Sequence, residues 1–202
     1  MEDGLTTEIL REGFGRIIAK LQACADELNA LDAVLGDGDL GVTMVRGATS
    51  VQSELANLPD DLGMALHRCA QAFTKISGST LGTLLATGLM SAAKATKGRR
   101  EVPWKEVSSL LAGARETMSS RSQGQLGDKT ILDALDAARA ATEGMEDPAA
   151  MASAANEAVA SALERFRSQP SRQGRARIFG DKSIGKDDPG MVAFKRILES
   201  LL

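Results

Sequence analysis

The sequence predicts an all-α fold of about eight helices in a single domain, and three observations carry that expectation. Apolar residues recur at three- and four-residue steps through almost the whole chain, strand-forming aromatics are scarce, and every proline falls between periodic segments. The chain has no tyrosine, one tryptophan and five phenylalanines, whereas strands are enriched in aromatic and β-branched residues. Its abundant Ala, Leu, Met and Gly suit closely packed helices. With 202 residues, 43% of them hydrophobic, it is long enough for one sizeable core, and residues 1–202 are read as one domain.

Taken in order, Leu5, Ile9, Leu10, Phe14, Ile17, Ile18, Leu21, Ala25 and Leu28 form one apolar stripe, predicting a first helix to about Leu31. A second is expected over Val42 to Leu58 and a third from Asp60 to about Lys75, behind Pro59. Further periodic segments cover Leu81 to Lys97, Trp104 to Ser120, Thr130 to Thr142, Ala149 to Arg167 and Met191 to Leu202. Pro59, Pro103, Pro148, Pro170 and Pro189 punctuate them, as residues that do not continue a helix should. The alanine-rich "AAMASAANEAVASALERF" keeps its period and reads as a close-packed helix, not as disorder. The longest stretch without helical pattern is "SQPSRQGRARIFGDKSIGKDDPG", residues 168–190. Loops longer than about 15 residues in compact domains are usually functional or disordered. Arg172, Arg175, Arg177, Lys182 and Lys186 concentrate positive charge here, marking a candidate lid or ligand loop.

Several function classes lose support. The net charge of −3 gives no broad basic field for nucleic acid or an anionic membrane, so any anionic ligand must be held locally. No apolar run approaches the roughly 18 residues of a membrane span, and "MEDGLTTEILREGF" is acidic and amphipathic, unlike a signal peptide. A cytoplasmic protein is expected. Cys24 and Cys69 lack metal or disulfide spacing and read as small core residues. The single histidine, His67, falls on a predicted helix away from every polar turn, which argues against a Ser-His-Asp hydrolase or a histidine phosphocarrier.

The polar turns carry the chemistry. In "LDAVLGDGDLGVT", residues 31–43, Asp32 ends the first helix while Asp37 and Asp39 lie on a glycine-punctuated turn. Glycine lets such a turn fold back, so that the three carboxylates converge. Their mutual repulsion calls for a cation, and oxygen ligands without His or Cys suit a hard one, magnesium held partly by phosphate fitting better than calcium. Read alone, "GDGD" also fits an ordinary polar turn capping the next helix. "KISGSTLGTLL", residues 75–85, places Ser77, Gly78, Ser79 and Thr80 before a helix, a phosphate cradle or simply an N-cap. "QLGDKTILDALDAA", residues 125–138, opens another helix near Asp128 to Thr130, where capping is the plainer reading.

Together and in this order, "LDAVLGDGDLG", "SGSTLG", "GDKTILDAL" and "GRARIFGDKSIGKDDPG" resemble the nucleotide-binding L subunit (DhaL) family of dihydroxyacetone kinase over nearly the whole chain. The D-x-x-x-x-D-x-D spacing and the S-I-G-x-x-D-P-G ending are the specific signals. The resemblance implies a barrel of eight antiparallel helices binding ADP or ATP at one end through two magnesium ions. It implies that Asp32, Asp37 and Asp39 hold the metal. Leu40, Gly41, Val42 and Thr43 would line the phosphate side of the second helix, with Ser79 and Thr80 adding donors. Ser122 and Ile131 would contact the nucleotide, and Arg175, Asp188, Pro189 and Gly190 would close the site, Arg175 as the catalytic side chain. The chain departs from the family at Leu40, usually His, at Thr43, usually Asn, and at Ser77 and Ser122, which replace glycines.

The implied function is the nucleotide half of a triose or ketose kinase, the sugar being held covalently on a separate K subunit, since this chain has no second domain and no spare histidine. The nucleotide would be exchanging ATP or a resident ADP rephosphorylated by a phosphotransferase-system M subunit. The alternative is a nucleotide-loaded module that regulates a partner protein without catalysis of its own.

Overall fold

The structure, a computed structural model, describes residues 4–76 and 79–202. Ser77 and Gly78, singled out above, lie outside the described residues, as does the opening of the N-terminal segment.

The first apolar stripe is carried by two helices, not one. Thr6 caps α1 (Thr7–Ala23), its side chain accepting a hydrogen bond from the Ile9 N–H at 3.4 Å. The helix ends at Cys24, and α2 (Ala25–Leu35) starts directly beyond it, with Asp26 and Glu27 in its first turn. The interruption is a one-residue kink, because the Cys24 N–H still reaches the Lys20 carbonyl and its own carbonyl still accepts from Leu28, both at 3.0 Å. Backbone continuity of that kind preserves the apolar phase, which is why periodicity alone reads straight through it. Leu5 belongs instead to a short strand, β1 (Gly4–Thr6), paired antiparallel with β2 (Glu101–Pro103).

The remaining helices follow the expected order. They are α3 (Leu40–Gln52), α4 (Leu62–Ile76), α5 (Thr80–Ala95), α6 (Val107–Ser122), α7 (Ile131–Ala141), α8 (Pro148–Arg167) and α9 (Pro189–Glu199). Leu55–Asn57 and Trp104–Glu106 are 3-10 turns at the ends where longer α-helices were expected. The stretch 168–190 also has regular structure, 3-10 turns over Arg175–Ser183 with a kink at Gly180.

Consecutive helices pack side by side from α2 to α9, and α9 packs back onto α1 and α2. With α1 and α2 counted as one kinked stave, the described residues form a closed ring of eight. The staves alternate in direction, as short connections require. Their inward faces share one apolar core, including Leu28, Met44, Cys69, Met118, Leu132, Val159 and Met191. Cys24 and Cys69 are both buried and free, as their lack of spacing signals predicts. A smaller cluster of Leu62, Leu66, Ala93 and Val102 closes the rim beside the two strands. The alternation has one consequence for function: α3, α5, α7 and α9 all begin at the same end, and α2 and α6 finish there.

Candidate functional site

Asp32 sits in the last turn of α2, and the chain beyond it folds back through Gly36 and Gly38. Gly38 has a φ of +78°, a conformation that side chains other than glycine's disfavour. The fold-back lets one Asp32 oxygen accept hydrogen bonds from the Gly38 N–H at 2.9 Å and the Asp39 N–H at 3.2 Å. Asp32, Asp37 and Asp39 thereby each place a carboxylate oxygen within 4.8 Å of the others.

The Asp37 and Asp39 carboxyls are shifted in opposite directions. Burial, followed by the charge of Asp37, pushes the Asp39 carboxyl above its ordinary range. Burial also raises Asp37, but the hydrogen bond and charge of Arg175 outweigh it and hold that carboxyl below its ordinary range. Arg175 reaches Asp37 from the 168–190 loop as an ion pair between side chains 62% and 47% exposed. Three carboxylates with only oxygen donors form a set suited to a hard divalent cation.

The other walls are helix starts. Ser79 caps α5, accepting from the Gly82 N–H at 3.0 Å. Thr130 caps α7, accepting from the Leu132 N–H at 3.2 Å, while Asp133 reaches back to the Thr130 N–H at 2.9 Å. Asp188 caps α9, accepting from the Met191 N–H at 2.9 Å, with Pro189 in the first helical turn. Asp39 stands at the head of α3. Four positive dipole ends therefore face one space, an arrangement that favours anions. Desolvation pushes the Asp188 carboxyl up to about 6.

Between these features lies a cavity of about 740 Å³. Leu40, Leu81, Leu84, Ile131, Leu132 and Pro189 give it aliphatic walls, and no aromatic side chain is among its described lining. Asp32, Asp37, Asp39, Leu40, Thr43, Ser79, Thr80, Ser122, Ile131, Arg175, Asp188, Pro189 and Gly190 all line it. Two of the expected residues are placed elsewhere. Gly41 is buried where a Cβ would overlap the Ala25 carbonyl, so it sets the close approach of α3 to α2. Val42 is 42% exposed, and its N–H donates to the Asn29 side chain at 3.2 Å. Ser122, the last residue of α6, accepts from the Gly124 N–H at 3.1 Å, and its carbonyl accepts from Gln173 at 2.9 Å, stitching α6 to the loop.

Sequence reasoning missed Arg46, Arg121 and Gln173, which also line the cavity, as does Arg177 of the basic loop singled out above. Arg46 was findable, since it follows Asp39 and Thr43 by seven and three positions and so shares their helix face. Arg121 is brought in by the last turn of α6 and Gln173 by the loop, which carries no period.

A profile of the DAK2 domain matches residues 34–202. The chain is 29% identical over 183 residues to the PEP-dependent dihydroxyacetone kinase ADP-binding subunit DhaL of Escherichia coli, covering 88% of this chain and 87% of that protein. It is 34% identical over 208 residues to the L-erythrulose 1-kinase of Mycolicibacterium smegmatis, covering 95% of this chain but 36% of the relative. The chain thus spans most of a DhaL subunit and about a third of the longer kinase. The dihydroxyacetone kinase of C. freundii, solved in complex with AMP-PNP and Mg2+, superposes with a TM-score of 0.77 at 24% identity, over 98% of this chain and 34% of that one. The fold, the ordered motifs and the extent of the profile match agree: the chain belongs to the DAK2 domain family.

Proposed function

We propose that this protein is the nucleotide-binding, phosphoryl-transferring subunit of a dihydroxyacetone-type kinase. The observation that carries the reading is the meeting, in one cavity, of a carboxylate cluster that demands a cation with four helix starts that favour an anion. A polyphosphate with its magnesium satisfies both demands at once. The ADP-binding name of the Escherichia coli relative and the AMP-PNP and Mg2+ bound to the C. freundii neighbour support the same ligand class.

Asp32, Asp37 and Asp39 would hold two magnesium ions, whose chemistry is to neutralise charge on the phosphate oxygens. The N–H groups at the starts of α3 and α5, with Ser79 and Thr80, would cradle the phosphates. The aliphatic side chains of Leu81, Ile131 and Pro189 would flank the base. Arg175, at the cavity mouth, would orient the phosphoryl group toward an acceptor hydroxyl. The acceptor, a triose such as dihydroxyacetone, would be presented by a K-type subunit, and ADP would be recharged from ATP or by a phosphotransferase-system M subunit.

Purified chain mixed with a K subunit and dihydroxyacetone tests this, with either ATP or an M-subunit phosphocarrier as donor. Transfer is expected with one donor, and Asp37→Asn is expected to weaken magnesium-dependent ADP binding at least about tenfold, by analogy with losses around metal sites. No transfer with either donor sinks the kinase reading. Tight nucleotide binding without transfer would favour the regulatory-module alternative.

A further inference from the structure

Among the described residues the largest fully buried side chain is charged: Lys129 is 1% exposed. Burying an ammonium group is costly unless its donors are satisfied. Its Nζ donates to the Gln169 carbonyl at 2.9 Å and to the Ser183 carbonyl at 3.0 Å. Those carbonyls flank the segment that carries Arg175, so one ammonium closes that segment at its neck. Burial lowers the Lys129 pKa, while the charges of Asp188 and Asp187 favour the ammonium form and Arg167 opposes it.

Further bonds build a collar around the ammonium. The Ser171 N–H donates to the Ser183 hydroxyl at 2.8 Å, which donates in turn to the Gly180 carbonyl at 2.6 Å. The Gly185 N–H reaches the Arg167 carbonyl at 2.7 Å, and the Arg172 N–H reaches the Asp128 carbonyl at 3.0 Å. Arg167 and Asp187 form a two-pronged pair at 2.9 and 2.8 Å. The tip is held differently. It is tied by Gln173 to Ser122 and by the exposed Arg175–Asp37 pair, and exposed pairs contribute little. Gly174 and Gly180, with φ of +65° and +50°, bound the tip, and Gly180 is where the collar's grip on it begins.

We propose that Lys129 is a positioning residue for the nucleotide site, its ammonium fixing the collar from which Arg175 and the start of α9 are presented to the cavity. Lys129 is not among the cavity's described lining, so it acts through the loop. Without it, the Gln169 and Ser183 carbonyls lose their common donor, the neck spreads, and bound nucleotide escapes more readily. The inference rests on the nucleotide reading above.

The test uses the full chain loaded with a fluorescent ADP analogue and magnesium, chased with unlabelled ADP well below the melting temperature. Lys129→Met is expected to release the analogue on the order of ten- to a hundredfold faster, as loss of hydrogen bonds to a charged donor implies. Manganese binding to the carboxylate cluster, followed by electron paramagnetic resonance without nucleotide, should be retained, because Asp32, Asp37 and Asp39 lie outside the collar. Val159→Ala, in the fully buried core of α8, controls for general destabilisation and should release at the wild-type rate. Ser183→Ala loosens the collar without touching the charge and should release about three- to tenfold faster; it decides the matter if Lys129→Met does not fold. The proposal is overturned if the deciding variant releases at the wild-type rate, if Val159→Ala matches it, or if manganese binding is lost. A wild-type chain that never retains the analogue overturns the nucleotide reading and this role with it.

Discussion

Asp188 has opposing duties as a residue. Its carboxylate caps α9 at 2.9 Å from the Met191 N–H, yet desolvation raises its pKa to about 6. A carboxyl raised on folding adds stability below its unfolded pKa, near 3.8, and loses that contribution as pH rises through about 6. Lys129 moderates the cost and Asp133 adds to it. Asn also caps helices but carries no charge. Asp188→Asn is therefore expected to be more stable than wild type at pH 7 by about 1–3 kcal/mol and indistinguishable from it near pH 4, as read by denaturant titration. At this scale the sequence was informative where residue type dictates chemistry, as with the three aspartates. It was silent on Lys129, because a lysine in "GDKT" reads as exposed until the loop is seen to wrap it.

Among the elements, the pairing of α2 with α3 sets the carboxylate cluster, because Asp32 rides on one and Asp39 heads the other. Gly41 permits their close approach. Gly41→Ala drives a methyl group into the Ala25 carbonyl, and overpacking of that kind costs about 1–3 kcal/mol. Calorimetry should show the lower melting temperature, and under the proposed function the displaced α3 should weaken magnesium binding as well. Helix identities and order were legible because the 3.6-residue period spans each stave. The Cys24 kink and the β1–β2 pair were not, since the first leaves the period intact and the second joins short segments 95 or more residues apart.

For the whole molecule, the ring must be closed where the chain's end meets its beginning. Three cations serve that junction: Lys20 of α1 lies 3.0 Å from Glu199, and Lys195 and Arg196 of α9 pair with the same carboxylate. Arg196 also binds Glu27 of α2. Burial alone would raise the Glu199 carboxyl, but these hydrogen bonds outweigh it and bring it down to about 2. Its contribution is therefore full above pH 4.5 and is lost as pH falls through about 2. Glu199→Gln should flatten part of the loss of stability across that window, measured by acid titration followed by circular dichroism. The sequence by itself determined the all-helical class, the order of the staves and the three aspartates, because each is written in local spacing and residue chemistry. Only the tertiary structure decided that four helix starts share one end with the carboxylates, that Gly41 serves packing and that Lys129 grips the loop, because those relations depend on which way each stave points.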